Sequence, residues 1–110
     1  MLNCGRLDGV RLASRKTIEW LTSDHLGKNA IEGELFAPGH GFGLGVAVRT
    51  AAGLAPTPGS VGMYFWSGNG GTCFFVEPKK ELFAILLTQA PGQRIHYRNL
   101  FRNMVYGAVD

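Results

Sequence analysis

The 110 residues hold no apolar run approaching the ~18 that a membrane-crossing helix needs, so no membrane span is expected. The opening Met1-Leu2-Asn3-Cys4-Gly5-Arg6 has neither a basic start nor an apolar stretch and does not read as a signal peptide. The localisation therefore stays open. Cysteine is scarce, with Cys4 and Cys73 far apart and in no metal-ligand spacing. Two buried free thiols are expected, since free cysteine packs as a small apolar residue; a disulfide is the other state the sequence allows. His25, His40 and His96 form no i, i+4 pair, so no metal site is expected. His96 is expected exposed and His40 in ordinary loop or packing use beside a strand. Gly39-His-Gly-Phe-Gly-Leu-Gly45 lacks the GxGxxG spacing and the following helix that phosphate binding requires, and no cofactor is expected.

Charge is also modest. The balance is +3, from 11 Lys and Arg against 8 Asp and Glu, without the concentrated basic face of a nucleic-acid binder. Arg94, Arg98 and Arg102 recur every fourth residue and are expected to form the solvated face of a helix.

What is present reads as globular. Hydrophobic residues make up 45% and charged residues 17%, within the length of a single domain. Ser14 is placed to cap a short helix over 15–22, with Ile18, Leu21 and Trp20 facing inward. Residues 24–40 read as loop. Residues 41–50 alternate Phe42, Leu44, Val46 and Val48 with smaller residues and predict one strand. Further strands are predicted over 61–67, 71–76 and 82–89, with a tight connection at Pro78-Lys79-Lys80. Residues 94–109 predict an amphipathic helix whose apolar stripe holds Ile95, Leu100, Phe101, Met104, Val105 and Ala108. The fold class is α+β: an antiparallel sheet with a C-terminal amphipathic helix packed on one face. Residues 1–40 form a helix and loop segment, and 41–110 the strands and terminal helix, of a single domain.

Trp66-Ser67-Gly68 ends the strand over 61–67. An aromatic residue there ordinarily serves the core, and the following Asn69-Gly70-Gly71 ordinarily makes a turn. The order of the surrounding features adds to that reading. Trp66-Ser67-Gly68 is followed by a small-residue bend, an aromatic strand, Glu77-Pro78, an apolar strand and a helix. Upstream stand Asn3-Cys4-Gly5-Arg6-Leu7-Asp8-Gly9 and Gly41-Phe42-Gly43-Leu44-Gly45. This ordered set resembles the C-terminal part of the serine β-lactamase, penicillin-binding protein and β-lactamase-like carboxylesterase superfamily. Its third active-site motif is Lys-Thr-Gly, His-x-Gly or Trp-x-Gly. The domain would then be a partial β-lactamase-like α/β domain.

The resemblance implies that Trp66, Ser67, Gly68 and Asn69 edge a substrate cleft. The Asn69 backbone N–H, or an immediate neighbour, would serve as an oxyanion donor. Gly68 would keep the strand bare for substrate, and Ser67 keeps a hydroxyl where β-lactamases carry Thr. Trp66 in place of Lys offers an apolar wall that favours an ester. Cys4 stands where the family commonly has Gly, and Met63 where a polar residue is common.

The family's nucleophile motif, Ser-x-x-Lys, is absent. None of Ser14, Ser23, Ser60 and Ser67 has Lys three residues on. Tyr97-Arg98-Asn99 matches the second motif literally but follows the third motif instead of preceding it. No catalytic residue is therefore assigned within these residues. The expectation is a fragment that begins just inside a helix and is inactive alone, its nucleophile and base lying upstream. Its intact form would act on a small ester or amide. The alternative is an assembly or complementation module that uses the exposed edge of the 82–88 strand to self-associate or to capture a missing N-terminal segment.

Overall fold

Residues 43–46 reverse the chain where a continuous strand was expected. In a computed structural model, which describes residues 1–29 and 37–109, the 41–50 region is a hairpin. Its strands are β3 (His40–Phe42) and β4 (Ala47–Arg49), in the register Phe42↔Ala47, Gly41↔Val48 and His40↔Arg49. The Gly43 N–H donates to the Val46 carbonyl at 2.7 Å, and Gly45 takes φ +98°. Alternation alone did not reveal the turn, because a left-handed glycine can reverse a chain without interrupting an apolar pattern.

Before this hairpin lie a two-stranded ribbon, β1 (Arg6–Leu7) with β2 (Val10–Arg11), and a short helix, α1 (Arg15–Leu21). Ser14 caps α1 by accepting from the Thr17 N–H at 3.0 Å, as its sequence position predicts. Ile18 and Leu21 are half-buried, whereas Trp20 is exposed. Two residues along a helix turn about 200°, so Trp20 cannot share the face of Ile18. Its ring instead meets the His25 ring edge-on at 5.5 Å. Residues 30–36, part of the predicted 24–40 loop, lie outside the described residues.

After β4 come β5 (Tyr64–Ser67), β6 (Cys73–Glu77) and β7 (Leu82–Leu86). With β3 and β4 they make a five-stranded antiparallel sheet in the order β3-β4-β5-β6-β7. A 3-10 turn at Pro78–Lys80 joins β6 to β7, and Glu81 leaves it at φ +51°. The chain is thus α+β, with the helix α2 (Arg94–Ala108) on one face of the sheet.

Strand alternation splits the core in two. Ala47, Met63, Phe65 and Phe75 pack toward Phe101, Val105 and Tyr106 of α2. Val46, Val48, Tyr64 and Val76 form the other cluster, against Leu2 and Phe74. Phe75 is fully buried, and its ring stacks on Tyr106 at 5.6 Å; burying one such side chain contributes roughly 1.5–3 kcal/mol.

The solvated arginine face does not form. Arg98 and Arg102 are both buried, on the inner face of α2. Leu100 and Met104, expected to face inward, are 44% and 65% exposed, and Ile95 is also exposed. The helix carries two apolar stripes, and Phe101 with Val105 makes the inner one. Leu100 and Phe101 lie about 100° apart and cannot both lie at the centre of one face. Arginine stems are long and apolar, so they can cover sheet surface while the guanidinium reaches a partner. The cysteines divide as well: both are free, but only Cys73 is buried and Cys4 is exposed.

Candidate active site

The end of β5 outruns its neighbour. β4 pairs only with Tyr64 and Phe65, while β6 pairs with all of Tyr64–Ser67. Among the described residues, the β4-side edge of the backbone from Trp66 onward has no strand beside it. Residues 68–71 then turn the chain. The Gly71 N–H donates to the Gly68 carbonyl at 3.1 Å, and the Gly68 N–H donates to the Thr72 carbonyl at 2.8 Å. Gly71 takes φ +118°, giving the bulged hairpin turn that sequences with glycine in this position favour. A Cβ on Gly68 would lie 2.4 Å from Thr72 Oγ1, so this position is bare because the turn folds Thr72 against it.

Three of the four residues singled out from the sequence meet at one concavity. Trp66, Ser67 and Gly68 line an open hollow of about 440 Å³ with Phe74, Ile85 and Leu87. Trp66 is half-buried, its ring edge-on to Phe42 at 5.2 Å. Ser67 lies opposite Cys73 in the ladder. Asn69 stands exposed at the turn, and its N–H has no hydrogen-bond partner among the described residues.

Behind this edge lies a basic layer that sequence reasoning placed in solvent. Arg98 donates from Nη2 to the Gly68 carbonyl. Arg102 lays its guanidinium over the Phe65 ring, 3.8 Å from the centroid. Burial pulls the Arg102 pKa down to about 10, which leaves it charged at neutral pH. Burial also pushes the Cys73 thiol up, against the pull of both arginines, so Cys73 stays protonated. His40 sets its ring edge-on to Phe65 at 5.3 Å and bonds through Nδ1 to the Ala37 carbonyl at 3.0 Å. Burial chiefly, with Arg102 and Arg49 adding, lowers its pKa, and its buried Nε2 has no partner.

A second polar network fixes the loop over 50–63. Glu77 is fully buried, and its Oε2 accepts from the Ser60 N–H at 2.8 Å and from the Tyr106 hydroxyl at 2.7 Å. Burial and the Glu77 carboxylate raise the Tyr106 pKa and keep that hydroxyl a donor. Arg49, buried beside it, donates from Nη1 to the Thr57 carbonyl at 2.9 Å. From sequence Glu77 read only as the start of a Glu-Pro turn. The missed signal was a single charged residue closing an apolar strand.

Among the described residues, no group of three or more His, Cys, Asp or Glu is placed to hold a metal ion. No described helix is long and apolar enough to cross a membrane. Two of the four serines spend their hydroxyls locally: Ser14 bonds Thr17, and Ser23 donates to the Glu19 carbonyl at 2.6 Å.

Residues 1–104 match the Beta-lactamase family. The chain is 32% identical over 96 residues to protein Rv1367c of Mycobacterium tuberculosis strain H37Rv, covering 81% of this chain and 24% of that protein. Protein MT1414 of strain CDC 1551 matches to the same extent. Among solved structures, EstCE1, described as a hydrolase with promiscuous acyltransferase activity, superposes with a TM-score of 0.81 at 30% identity. That superposition covers 96% of this chain and 27% of EstCE1. The chain spans about a quarter of the length of the relatives it matches.

Proposed function

The chain belongs to the Beta-lactamase family of hydrolases, and from that premise we propose that Trp66–Asn69 forms one wall of an acyl-transfer cleft. The observation that carries this is the open β5 edge, which runs out to the exposed Asn69, whose N–H has no partner among the described residues, while Trp66, Ser67 and Gly68 of the same strand end line a hollow. In acyl transfer, negative charge develops on the carbonyl oxygen in the transition state. A fixed backbone N–H aimed at that oxygen contributes about 3 kcal/mol. Trp66 gives an apolar wall without charge, which suits a small ester better than an anionic β-lactam.

The nucleophile and its base are supplied by residues outside this sequence. By themselves the 110 residues are expected to be inactive, because an oxyanion donor without a nucleophile supports little chemistry. The test is turnover of a chromogenic short-chain ester, first by the pure chain and then by the chain joined to a family segment bearing Ser-x-x-Lys. The expected result is no turnover in the first case and turnover in the second. Turnover by the pure chain that survives replacement of Ser67 contradicts the proposal.

A second reading, an assembly module, is favoured by a separate observation. β7 is the last strand of the described sheet, and Phe83, Ile85 and Leu87 are 59%, 56% and 81% exposed. Tyr97, Leu100 and Met104 form a second outward apolar stripe on α2. Exposed strand edges and apolar patches of this kind invite pairing. Dimers or larger species on sedimentation support it, and a monodisperse, cooperatively folding monomer counts against it.

A further inference from the structure

We propose that Arg98 is a positioning residue, which fixes the orientation of the Asn69 N–H by holding the carbonyl of the same peptide unit. The inference rests on the oxyanion reading of Asn69 given above. A trans peptide is planar, so its C=O and N–H point in opposite directions, and fixing one fixes the other. The Gly68 carbonyl belongs to the same peptide as the Asn69 N–H. It accepts from the Gly71 N–H at 3.1 Å within the turn and from the Arg98 guanidinium beneath it.

The first bond belongs to a glycine-rich turn and is only as rigid as the turn. Gly68 has no Cβ to restrict its backbone, and Asn69 is exposed. The second bond ties that peptide to a different part of the fold. Arg98 is 9% exposed and sits on α2, which Phe101, Val105 and Tyr106 anchor in the core. The hydrogen bond crosses 30 residues of sequence, so the peptide orientation is set by tertiary packing as well as by the turn. A charged donor on the carbonyl also polarises the peptide and strengthens its N–H as a donor. Arg102, one helical turn on, contacts Phe65 and makes no hydrogen bond to residues 68–71, so it provides a control on the same helix face.

The experiment is 15N relaxation on the 110-residue chain, with residual dipolar couplings to give the direction of the Asn69 N–H. Wild type is compared with Arg98→Met, Arg98→Lys and Arg102→Met. Met keeps the stem and removes the donors, while Lys keeps a charged donor. The expected order parameter at Asn69 is about 0.85 in wild type and below about 0.6 in Arg98→Met. Arg98→Lys is expected to restore most of it, and Arg102→Met to leave it unchanged. A rigid Asn69 with wild-type N–H direction in folded Arg98→Met overturns the inference. So does an equal loosening in Arg102→Met, which reports helix displacement and not the bond. Should Arg98→Met fail to fold, Arg98→Leu, which also lacks a donor, takes its place with the same expectation of an altered Asn69. These readouts need no catalysis, so they can fail while ester turnover stands, or hold while turnover fails.

Discussion

Arg102 lies flat on Phe65, with its guanidinium carbon 3.8 Å from the ring centroid and only 7% of its surface exposed. Among the described residues no carboxylate lies within ion-pair distance, so the aromatic face is the arginine's main electrostatic compensation. A desolvated cation–π contact is worth about 2 kcal/mol. Arg102→Ala, which loses the contact and the packed stem, is expected to destabilise the chain by about 2–4 kcal/mol. Arg102→Met, which keeps the stem and removes a costly buried charge, is expected to cost under about 1 kcal/mol. Urea denaturation midpoints distinguish the two. Equal losses would show that the charge, not the stem, carries the stability.

Glu77 and Tyr106 join β6 to α2 through a single 2.7 Å hydrogen bond. Tyr106→Phe removes one donor and leaves the Ser60 N–H in place, at an expected cost of about 1.5–3 kcal/mol. Glu77→Ala orphans the Ser60 N–H, leaves the Tyr106 hydroxyl only the weak Met63 Sδ acceptor at 3.5 Å, and is expected to cost about 3–5 kcal/mol. Because the residues share one bond, the double variant is expected to cost clearly less than the sum of the two. Additive losses in a double-mutant cycle would mean that the bond contributes nothing.

His40 makes stability depend on pH. Burial lowers its pKa below the ordinary value of 6.5, so the unfolded chain takes up the proton before the folded chain does. Its contribution is complete above about pH 6.5 and is lost as the pH falls through the lower folded value. Unfolding midpoints between pH 7.5 and 5.5 are expected to fall in wild type and to fall less in His40→Asn. An unchanged slope in the variant removes His40 as the cause.

Several parts of this fold could be read from residues alone, because they rest on local chemistry. Ser14 as a cap, β5 to β7 as strands and the Glu77-Pro78 connection all follow from short patterns. Other parts depend on what each element packs against. The inward arginines of α2 were hidden because Leu100 and Met104 on one side, and Phe101 and Val105 on the other, give the same composition as a single broad stripe. The turn at 43–46 was hidden by an alternation that continues through it. At the candidate site, Trp66, Ser67 and Gly68 could be picked out only through the order of motifs along the chain. Composition alone makes them a core aromatic and a turn. Arg98 had no local signal, since its bond to Gly68 joins residues 30 apart in sequence.

The most direct measurement concerns one hydrogen atom. Asn69 is the second residue of the 68–71 turn, a position that proline fits, so Asn69→Pro removes the backbone N–H and keeps the turn. In the chain joined to a Ser-x-x-Lys-bearing segment, Asn69→Pro is expected to lower kcat for a chromogenic ester by about 10²–10³, the loss that follows removal of one oxyanion donor. KM is expected to change little, and Asn69→Ala, which keeps the N–H, to stay near wild type. A kcat for Asn69→Pro equal to that of Asn69→Ala would contradict the assignment of this N–H to the oxyanion.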